Sequence, residues 1–567
     1  MSDFLITKRI KTHQKIYDSF NRVYDKKVNL KSFESKNLSL FYTENIYNGF
    51  KSFKSDNFII IVLGGPVLRF RDNSFISNNL KDCNEGTKSI YERWIENNEM
   101  DWDQDVDGPF AIIYFDKKLE KIKIVNDLLS TIPIYQKSDK SFTISSHINI
   151  IQSINSDFID EVSLADYLLN NVITFPFTIF KNIKQIYPSS IHNWSFEKNK
   201  ISYNFYNYWL PYELDENNLE DPYELIDRLT VAVKSYVDLI INSNPKLAIL
   251  MSGGEDSRSI AGSIPHDYIK DGYIYCVKEN HEVRIARTIS KILNINLKVG
   301  YIKSSQFVDT LKKVSNLIGL GFDSTNVHSY SFIKKFDIDK YDVVFGGFLA
   351  DTFLKNLWKD HKNNNSFSEI NEDVLHLVNE RKKNHYELVS TFRIKTVKEW
   401  TGIWPLSMQR DIPNIYGNRR LFKNFEPFAS NEIIKIGALA SSNLKSNRNL
   451  FRPAMKPFIK KVKWIPHDSG FMPFFPAFLN KFLFKPFWRI YFKLTVGNNN
   501  TMTNWDIVFE KKENIKLAEF YIKMIDENCH NFFKNKSVNS LNIIDKFTNI
   551  QKRNLFHIGN FLDQKNK

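Results

Sequence analysis

The segment 252–257, Ser-Gly-Gly-Glu-Asp-Ser, places small, flexible and acidic residues directly after a continuous apolar run. The apolar run at 247–251 predicts a strand that is buried on both faces of a sheet. The two glycines let a ligand approach the backbone closely. A helix predicted from 258 onward would add free N–H groups and the positive end of a dipole. The segment therefore predicts an anion-binding loop between a strand and a helix.

This loop is not a Walker A motif, because no GK[ST] follows it, and no GxGxxG precedes a helix elsewhere in the chain. It resembles the SGGxDS pyrophosphate loop (PP-loop) of ATP pyrophosphatases, in particular that of asparagine synthetases. The resemblance implies ATP and Mg²⁺ as cofactors. For Arg258, a position in solvent is the alternative to a phosphate contact. The residues expected to bind the nucleotide are Ser252, Gly253, Gly254, Glu255, Asp256, Ser257, Arg258 and Gly347.

A second acid follows another apolar strand, which is predicted at 342–345 and ends in Gly-Gly-Phe-Leu-Ala-Asp-Thr. Ligands of open parallel sheets bind at the carboxyl ends of the strands, so we expect Asp351 to face the glycine loop. Asp256 and Asp351 together would suit Mg²⁺, which prefers a few hard oxygen ligands plus substrate phosphates. The alternative is that Asp351 caps the next helix.

Asparagine synthetases carry G-x-G-A-D-E at this second place, and the chain keeps Gly347, Ala350 and Asp351 of that pattern. Leu349 stands where the family has a glycine, and Thr352 stands where it has the glutamate. The resemblance therefore implies a retained phosphate and Mg²⁺ site with an altered acceptor site.

The segments 448–455 and 465–471 resemble the K-x-x-L-R-x-A and R-x-K-x-G-F segments of the family. The family's lysine in the second segment stabilises the adenylate, and alignment on the Gly-Phe pair places Asp468 at its position. The spacing does not choose which neighbour supplies a cation instead. The neighbours are Arg452, Lys463 and His467, of which the last is equally expected as a structural histidine. The candidate catalytic residues are therefore Asp468, Arg452 and Lys463.

The first part of the chain is rich in short β-like runs, such as FIIIVLGG, PFAIIYF and KIKIVND, separated by polar turns. They predict an α+β region with antiparallel sheets. The pattern Asp-Gly-Pro-Phe-Ala from 107, followed by Asn-Asp at 126–127 and Ile-Pro-Ile-Tyr at 132–135, resembles the glutaminase domain of asparagine synthetases. That domain is of the N-terminal-nucleophile type.

The glutaminase of that family uses a cysteine at position two as its nucleophile, whereas this chain begins Met1-Ser2-Asp3. Ser2 could act as a hydroxyl nucleophile. The family's glutamine-binding segments are also absent, however. We therefore expect a glutaminase-like domain without glutaminase activity.

These patterns predict that the chain divides into four parts. Alternating strands and helices in the third part predict an α/β doubly wound parallel sheet. The parts are a glutaminase-like α+β domain (1–205), a linker (206–222), an ATP-pyrophosphatase domain (223–475) and a basic, aromatic, helical C-terminal extension (476–567).

The resemblance implies an AMP-forming ligase of asparagine synthase type. Such an enzyme activates a carboxylate as an acyl-adenylate, releases pyrophosphate and transfers the acyl group to ammonia or an amine. The alternative is a degenerate, non-catalytic homologue that binds a nucleotide or a partner. The loss of the glutaminase groups favours the alternative, and the retained loop with its two aspartates favours the ligase.

The composition limits the classes of binding partner and the cellular location that we expect for the protein. The formal net charge is +14, yet no nucleic-acid-binding motif occurs, so we expect no nucleic-acid partner. Three widely spaced cysteines and the lack of an apolar leader predict a cytoplasmic protein. Aromatic residues interleave with basic ones at 474–494, a pattern that is compatible with a peripheral contact with the inner membrane surface. The alternative is a helix that packs on the core with its basic face in water.

Overall fold

The computed structural model describes most of the chain, and within this part no helix has the length and hydropathy needed to cross a bilayer. The described residues are 2–9, 13–77, 80, 82–137, 142–197, 200–212, 221–303, 307–324, 327–333, 335–355, 369–393, 397–409, 412–468, 470–473, 475, 479–484, 486–488, 490–491, 505–534 and 540–566.

Nineteen strands lie in the described residues. In chain order they are β1 Phe4–Lys8, β2 Leu30–Glu34, β3 Leu38–Thr43, β4 Phe53–Lys54, β5 Phe58–Gly64, β6 Val67–Leu68, β7 Val106–Asp107, β8 Phe110–Asp116, β9 Lys121–Asn126, β10 Tyr135–Lys137, β11 Thr143–Ser145, β12 Ile183–Gln185, β13 Ser190–Glu197, β14 Lys200–Asn207, β15 Leu247–Leu250, β16 Lys270–Cys276, β17 Asn296–Tyr301, β18 Val343–Phe345 and β19 Asn424–Phe425.

Two six-stranded sheets form the first part of the chain, in the orders β12-β10-β11-β1-β3-β2 and β14-β13-β9-β8-β5-β4. All strand pairs in both sheets are antiparallel. The apolar runs of β5 and β8 are almost wholly buried, as expected for strands covered on both faces. The predicted antiparallel sheets are therefore confirmed.

A five-stranded parallel sheet follows, in the order β17-β16-β15-β18-β19. Its central strand, β15, is buried and pairs with both β16 and β18. The carboxyl ends of β15 and β18 are therefore neighbours, and each leads into one of the two glycine-containing loops. This arrangement confirms a parallel sheet with intervening helices.

Twenty-one α-helices lie in the described residues, with shorter 3₁₀ and π turns between them. They are α1 Gln14–Tyr24, α2 Glu85–Tyr91, α3 Trp102–Asp105, α4 Ile148–Ile154, α5 Glu161–Asn170, α6 Pro222–Ile241, α7 Glu255–Ser263, α8 His281–Ile292, α9 Phe307–Ile318, α10 Val327–Ile333, α11 Ala350–Phe353, α12 Glu372–Ser390, α13 Val397–Trp400, α14 Pro413–Leu421, α15 Asn431–Leu439, α16 Ser442–Lys445, α17 Phe451–Met455, α18 Trp505–Phe509, α19 Lys512–Asn528, α20 Ser540–Lys546 and α21 Asn549–Asn566.

The start of α6 marks the entry into the parallel-sheet part. Pro222 occupies the first turn, and the side chain of Asp221 accepts a hydrogen bond from the Tyr223 N–H. Strand β14 continues to Asn207, two residues beyond the predicted end of the first domain. Residues 213–220 of the predicted linker lie outside the described residues, and the four-part division of the chain stays a prediction.

The last helix, α21, packs in the interior instead of forming an appendage. His557 Nδ1 lies 3.1 Å from the Tyr167 hydroxyl of α5. Asn554 donates to the Tyr167 carbonyl, and Arg553 pairs with Asp323 at 3.2 Å. The end of the predicted C-terminal extension thus contacts α5 of the antiparallel part and Asp323, just after α9, and is part of the folded core.

Candidate active site

The segment 252–257 follows β15 at the carboxyl end of the parallel sheet, and its last three residues form the first turn of α7. The Ser252 N–H donates to Ser257 Oγ (3.1 Å), and the two serine hydroxyls lie 2.9 Å apart. The Gly254 N–H donates to Ser252 Oγ at 3.1 Å. The predicted order of strand, glycine turn and helix is confirmed, but the helix begins at Glu255, three residues before the predicted start at Arg258. The two hydroxyls lie where an anion would meet the start of α7.

The backbone at Gly253 is approached closely by two acids of the chain itself. A Cβ at this position would lie 3.1 Å from Asp468 Cβ and 3.1 Å from Glu282 Cγ. The Gly253 N–H is 3.4 Å from Glu282 Oε1. Burial, followed by the charge of Asp468, raises the pKa of Glu282 to about 7. Asp468 is thus brought to the loop as predicted, but it adds negative charge there.

Arg258 does not point toward a phosphate position, which differs from the predicted role. Its side chain is fully buried. Its guanidinium donates to the carbonyls of Gly253 and Gly254 in the loop, and to those of Ile465 and Pro466. Burial lowers its pKa to about 10. The residue therefore ties the 465–468 segment to the loop, with its donors directed at backbone carbonyls.

Glu255 also differs from its predicted role in nucleotide binding, because it is buried among basic side chains. We call this group the Glu255 cluster. Its members are Glu255, Arg448 (Nε at 2.8 Å), Arg452 (Nε at 3.0 Å) and His467 (Nε2 at 3.2 Å). Burial opposes the ionisation of Glu255, yet its neighbours His467, Lys355 and the two arginines lower its pKa to about 2. Burial in turn lowers the pKa of His467 well below its usual range.

The two candidate catalytic cations, Arg452 and Lys463, each contact an aromatic ring. Arg452 is engaged by Glu255, and both arginines of the cluster lie over the ring of Phe471. The buried ion pair with Glu255 therefore gives Arg452 a structural role. Lys463 lies over the exposed ring of Trp464, 5.3 Å from its centre. That contact is on the outer surface of the 456–464 segment.

Asp256 and Asp351 do converge, as the fold rule predicts, and they meet on a lysine. Lys355 Nζ donates to Asp256 Oδ1 and lies 2.8 Å from Asp351 Oδ1. Its side chain is 3% exposed, and the ring of Phe451 lies 4.3 Å from Nζ. We call Asp256, Asp351 and Lys355 the Lys355 cluster. Burial raises the pKa of Asp256 to about 6 against the opposing pull of Lys355.

This arrangement does not fit a divalent ion held between Asp256 and Asp351, because the ammonium of Lys355 lies where their oxygens converge. The predicted Mg²⁺ site is therefore not formed as expected. Among the described residues, no group of three or more His, Cys, Asp or Glu side chains is arranged to hold a metal. The site still fits an anion, through the two serine hydroxyls, the start of α7 and the lysine.

The second glycine loop is held by a buried carboxylate that follows β19, and it contacts the first loop through Gly347. Glu426 accepts the Phe348 N–H at 2.9 Å, and burial raises the pKa of Glu426 to about 7. A Cβ on Gly346 would overlap this carboxylate, and one on Gly347 would lie 3.2 Å from Asp256 Cβ. Leu349, which replaces a family glycine, takes a left-handed φ of 79°. Gly347 thus contacts the predicted nucleotide loop itself.

The start of the chain forms a different kind of site. Asp3, at the entry to β1, forms two hydrogen bonds of 2.9 Å with Arg420 of α14. The hydroxyls of Tyr24 and Ser146 also donate to the Asp3 carboxylate. We call these four residues the Asp3 cluster. Ser2, the predicted position of a nucleophile, is 1% exposed beside it.

Arg420 also donates to the carbonyls of Leu317 and Ser146, so its planar group is well supplied with acceptors. Burial opposes the charge on Asp3, but Arg420 holds its pKa below the usual range. Burial lowers the pKa of the adjacent His147 to about 3. The parallel-sheet part of the chain thus inserts an arginine into the region where a glutaminase nucleophile would lie.

A comparison with protein families identifies the part of the chain that contains β8 to β14. Residues 85–209 match the model of a glutamine amidotransferase domain. The matched segment amounts to less than a quarter of the chain, and it begins after Asp3 and Tyr24 of the Asp3 cluster. None of the curated proteins compared matches the chain significantly.

Two solved structures are similar to the chain only at a low level. The allosteric regulatory enzyme of purine biosynthesis has 7% identity and a TM-score of 0.25 over 53% of this chain and 80% of that one. Glutamine phosphoribosylpyrophosphate amidotransferase from B. subtilis, complexed with ADP and GMP, has 6% identity and a TM-score of 0.24. The aligned region is 53% of this chain and 66%, just under two thirds, of that protein.

Within the matched residues 85–209, Asp127 has a structural role. Its buried carboxylate accepts backbone N–H groups of Phe110, Leu129 and Thr131. These contacts fix the turn that follows β9. The sequence segment that carries the resemblance to glutaminase domains therefore stabilises the sheet of this domain.

Sequence reasoning missed Lys355, although a signal existed, because it follows Asp351 by four residues, the spacing of neighbours on a helix face. Arg420 resembles the arginine of a family segment R-x-P-F-L-D-x-E, but no signal predicted its pairing with Asp3, because 417 positions separate the two residues.

Proposed function

We propose that the chain is an ATP-dependent, amide-forming ligase of asparagine synthase type. It would activate a carboxylate as an acyl-adenylate, release pyrophosphate and transfer the acyl group to ammonia or an amine. The observation that carries this proposal is the meeting of two loops at the carboxyl ends of β15 and β18. There, the Ser252 and Ser257 hydroxyls, the start of α7 and the Lys355 cluster face one another.

Each of these groups suits the departure of pyrophosphate from ATP. Hydroxyls and the N–H groups at a helix start donate to phosphate oxygens without needing a proton transfer. A buried ammonium stabilises the negative charge that develops on the leaving group more strongly than one in water would. Lys355 is held between two carboxylates, so it is oriented before the nucleotide arrives.

The nitrogen donor in this proposal is ammonia or an amine and not glutamine. The amidotransferase domain supports an amide-transfer reaction in general. Ser2 is buried, however, and the Asp3 cluster packs the space beside it. Because Ser2 is 1% exposed, a glutamine side chain would have to displace residues that cover this hydroxyl to reach it.

A second candidate is a non-catalytic homologue that binds a nucleotide or a partner. It is favoured by the contacts that acidic side chains of the chain itself make at the loop. Glu282 lies at the Gly253 N–H, and Glu255 engages two arginines that could otherwise face a phosphate. In that case the charged groups stabilise the fold, and the chain catalyses no reaction.

The test is pyrophosphate and AMP release from ATP by the purified full chain. A panel of carboxylates (aspartate, uronic acids and amino-acid derivatives) is combined with ammonia, glutamine or no amine. The proposal predicts release that depends on one carboxylate and is lost in Asp256→Asn. The control is Asp309→Asn, because Asp309 is likewise an acid in the first turn of a helix. ATP binding without release with any of the carboxylates favours the second candidate. Activity with glutamine as sole donor overturns the assignment of the donor.

A further inference from the structure

The Lys355 cluster places a cation of the chain at the point where two carboxylates meet. Lys355 lies two residues beyond the end of α11, whose first turn carries Asp351, and Asp256 comes from the first turn of α7. The two acids thus come from the two loops whose meeting defines the site. The cation between them is the side chain that is least exposed of the three.

The burial and the contacts of Lys355 distinguish it from an ordinary surface ion pair. Nζ donates toward both carboxylates and lies over the face of Phe451, which favours a cation on its π surface. Burial tends to lower the pKa of this lysine, but Asp256 and Asp351 outweigh it and raise the pKa. The ammonium is therefore charged and held from several sides.

A divalent ion could not share this point with the ammonium. The two carboxylates provide two negative charges, and the lysine already neutralises one of them. A metal bound by the same oxygens would lie within a few ångströms of a buried positive charge, where like charges repel strongly. Moving Lys355 aside would in turn leave its ammonium without partners in the interior.

We infer that Lys355 is a built-in replacement for a divalent ion between Asp256 and Asp351, and that the chain binds no metal of its own there. A divalent ion that accompanies a nucleotide would then be held by the phosphates, and not between these two carboxylates. The inference concerns the site of the proposed ligase. Its test measures metal binding by the protein alone, so it can fail without the ligase proposal failing, and the reverse.

The experiment titrates the full chain with Mn²⁺ and counts bound ions by electron paramagnetic resonance. Wild type is expected to bind Mn²⁺ no more tightly than Asp256→Asn. Lys355→Met removes the ammonium and frees both carboxylates, so it should gain one site with an affinity higher by about tenfold or more. Adding Asp256→Asn to Lys355→Met should abolish the new site.

A matched control is Lys445→Met. Lys445 is also buried and ion-paired, with Glu399, but lies outside the described site. This variant should gain no Mn²⁺ site, which separates the loss of any buried lysine from the loss of this one. Thermal unfolding of each variant verifies that it is folded.

Two results would overturn the inference. One is a wild-type Mn²⁺ site that Asp256→Asn removes. The other is a folded Lys355→Met variant without a gained site. If Lys355→Met does not fold, the comparison of wild type with Asp256→Asn still decides whether the chain holds its own metal.

A second feature is an exposed apolar surface formed by residues between 464 and 491. We call it the aromatic surface, and its members are Trp464, Phe482, Leu483, Phe487, Ile490 and Tyr491, all exposed. Phe475 connects it, because its ring lies 6.1 Å from that of Trp464 and 4.7 Å from that of Phe484. Residues 474, 476–478, 485, 489 and 492–494 of the predicted membrane segment lie outside the described residues.

The charge around this surface points to its partner. Among the described residues between 456 and 491 there are five lysines and one acid, Asp468. Lys460, Lys461 and Lys481 are exposed in the structure. Exposed aromatic side chains bordered by lysines match an anionic lipid surface, where rings enter the headgroup region and cations meet phosphates. We propose that the aromatic surface binds anionic membranes peripherally.

Sedimentation with vesicles of phosphatidylglycerol or of phosphatidylcholine tests this proposal. The full chain should bind the anionic vesicles, bind less at high salt, and lose binding when Phe482 and Leu483 are changed to serine. The control changes Phe158 and Tyr223, two equally exposed rings elsewhere, to serine and should bind normally. Absent binding, or binding that survives the first variant, overturns the proposal. So does a dimer that the same variant dissociates, because a second copy would then cover the surface.

Discussion

The Asp3 cluster and the Lys355 cluster are both networks of charged side chains, but only in the Asp3 cluster are all the charged side chains shielded from solvent. In the Asp3 cluster both ionic side chains are at most 1% exposed, and Arg420 has acceptors on three sides. In the Lys355 cluster the lysine is buried while the Asp351 side chain is 58% exposed. One network joins two parts of the fold, and the other opens toward solvent at a strand end.

The difference suggests how the two resemblances of the chain should be weighted. Where a glutaminase nucleophile would lie, the space is packed with side chains from both parts of the chain. At the segment 252–257 the same kind of charge pairing leaves hydroxyls and an acid within reach of a ligand. We therefore expect mutations in the first network to affect stability and mutations in the second to affect function.

The largest expected effect is that of Asp3→Ala. It leaves the buried Arg420 without its carboxylate, which typically costs about 3–5 kcal/mol. Chemical denaturation should show a correspondingly earlier unfolding transition, or the variant should be insoluble. Glu34→Ala, which removes a half-exposed partner of Arg9, is the control and should cost less than about 1 kcal/mol. An Asp3→Ala protein as stable as wild type would contradict this account of the Asp3 cluster.

Glu255→Gln should have the next largest effect, about 2–4 kcal/mol, because it removes the charge that pairs with Arg448 and Arg452. The effect should depend on pH. The folded-state pKa of Glu255, about 2, lies below its ordinary value of 4.5, so its stabilisation is complete above pH 4.5. It is lost as the pH falls toward 2.

Denaturation of wild type and Glu255→Gln between pH 7 and pH 2 measures this dependence. The difference in unfolding free energy should be constant down to about pH 5 and then shrink. A difference that grows as the pH falls would show that Glu255 is not ionised in the folded protein.

Arg258→Lys should cost about 1–3 kcal/mol. A lysine cannot reproduce the planar set of donors that reaches the carbonyls of Gly254, Ile465 and Pro466. Hydrogen exchange should become faster at 465–468 and stay unchanged in the antiparallel sheets. Equal loss of pyrophosphate release and of ATP binding with unchanged exchange would instead give Arg258 the phosphate role that the sequence predicted.

The smallest effect on stability is expected for Ser257→Ala, about 1 kcal/mol from the lost hydrogen bond to Ser252. If the loop binds pyrophosphate, the release of pyrophosphate should still fall by about 100-fold. Parallel measurements of thermal unfolding and of pyrophosphate release separate the two quantities. Ser259→Ala, a buried hydroxyl that bonds only within α7, provides the control. Unchanged release in Ser257→Ala would remove the loop from the reaction.

Local patterns predicted the scaffold of the candidate site well. The apolar run before Ser252 and the one before Gly346 gave two neighbouring parallel strands, because such runs suit strands buried on both faces. The rule for ligand positions then brought Asp256 and Asp351 together correctly.

The partners of the loop acids could not be predicted in the same way. Glu255 meets residues almost 200 positions away, and Asp3 meets Arg420 across 417 positions. Only tertiary packing decides whether such a charge faces a ligand or another side chain. Arg258 illustrates this point, because its place in the first turn of α7 fits a phosphate contact equally well, yet the 465–468 carbonyls surround it.

The most direct test of this account locates the nucleotide on the protein. Hydrogen–deuterium exchange of the full chain is compared with and without saturating ATP. The account predicts protection in peptides that contain 252–258 and 346–355, and no change in those that contain 2–8 and 143–147. Protection confined to the second pair of peptides, or none at the first pair under saturation, would contradict it.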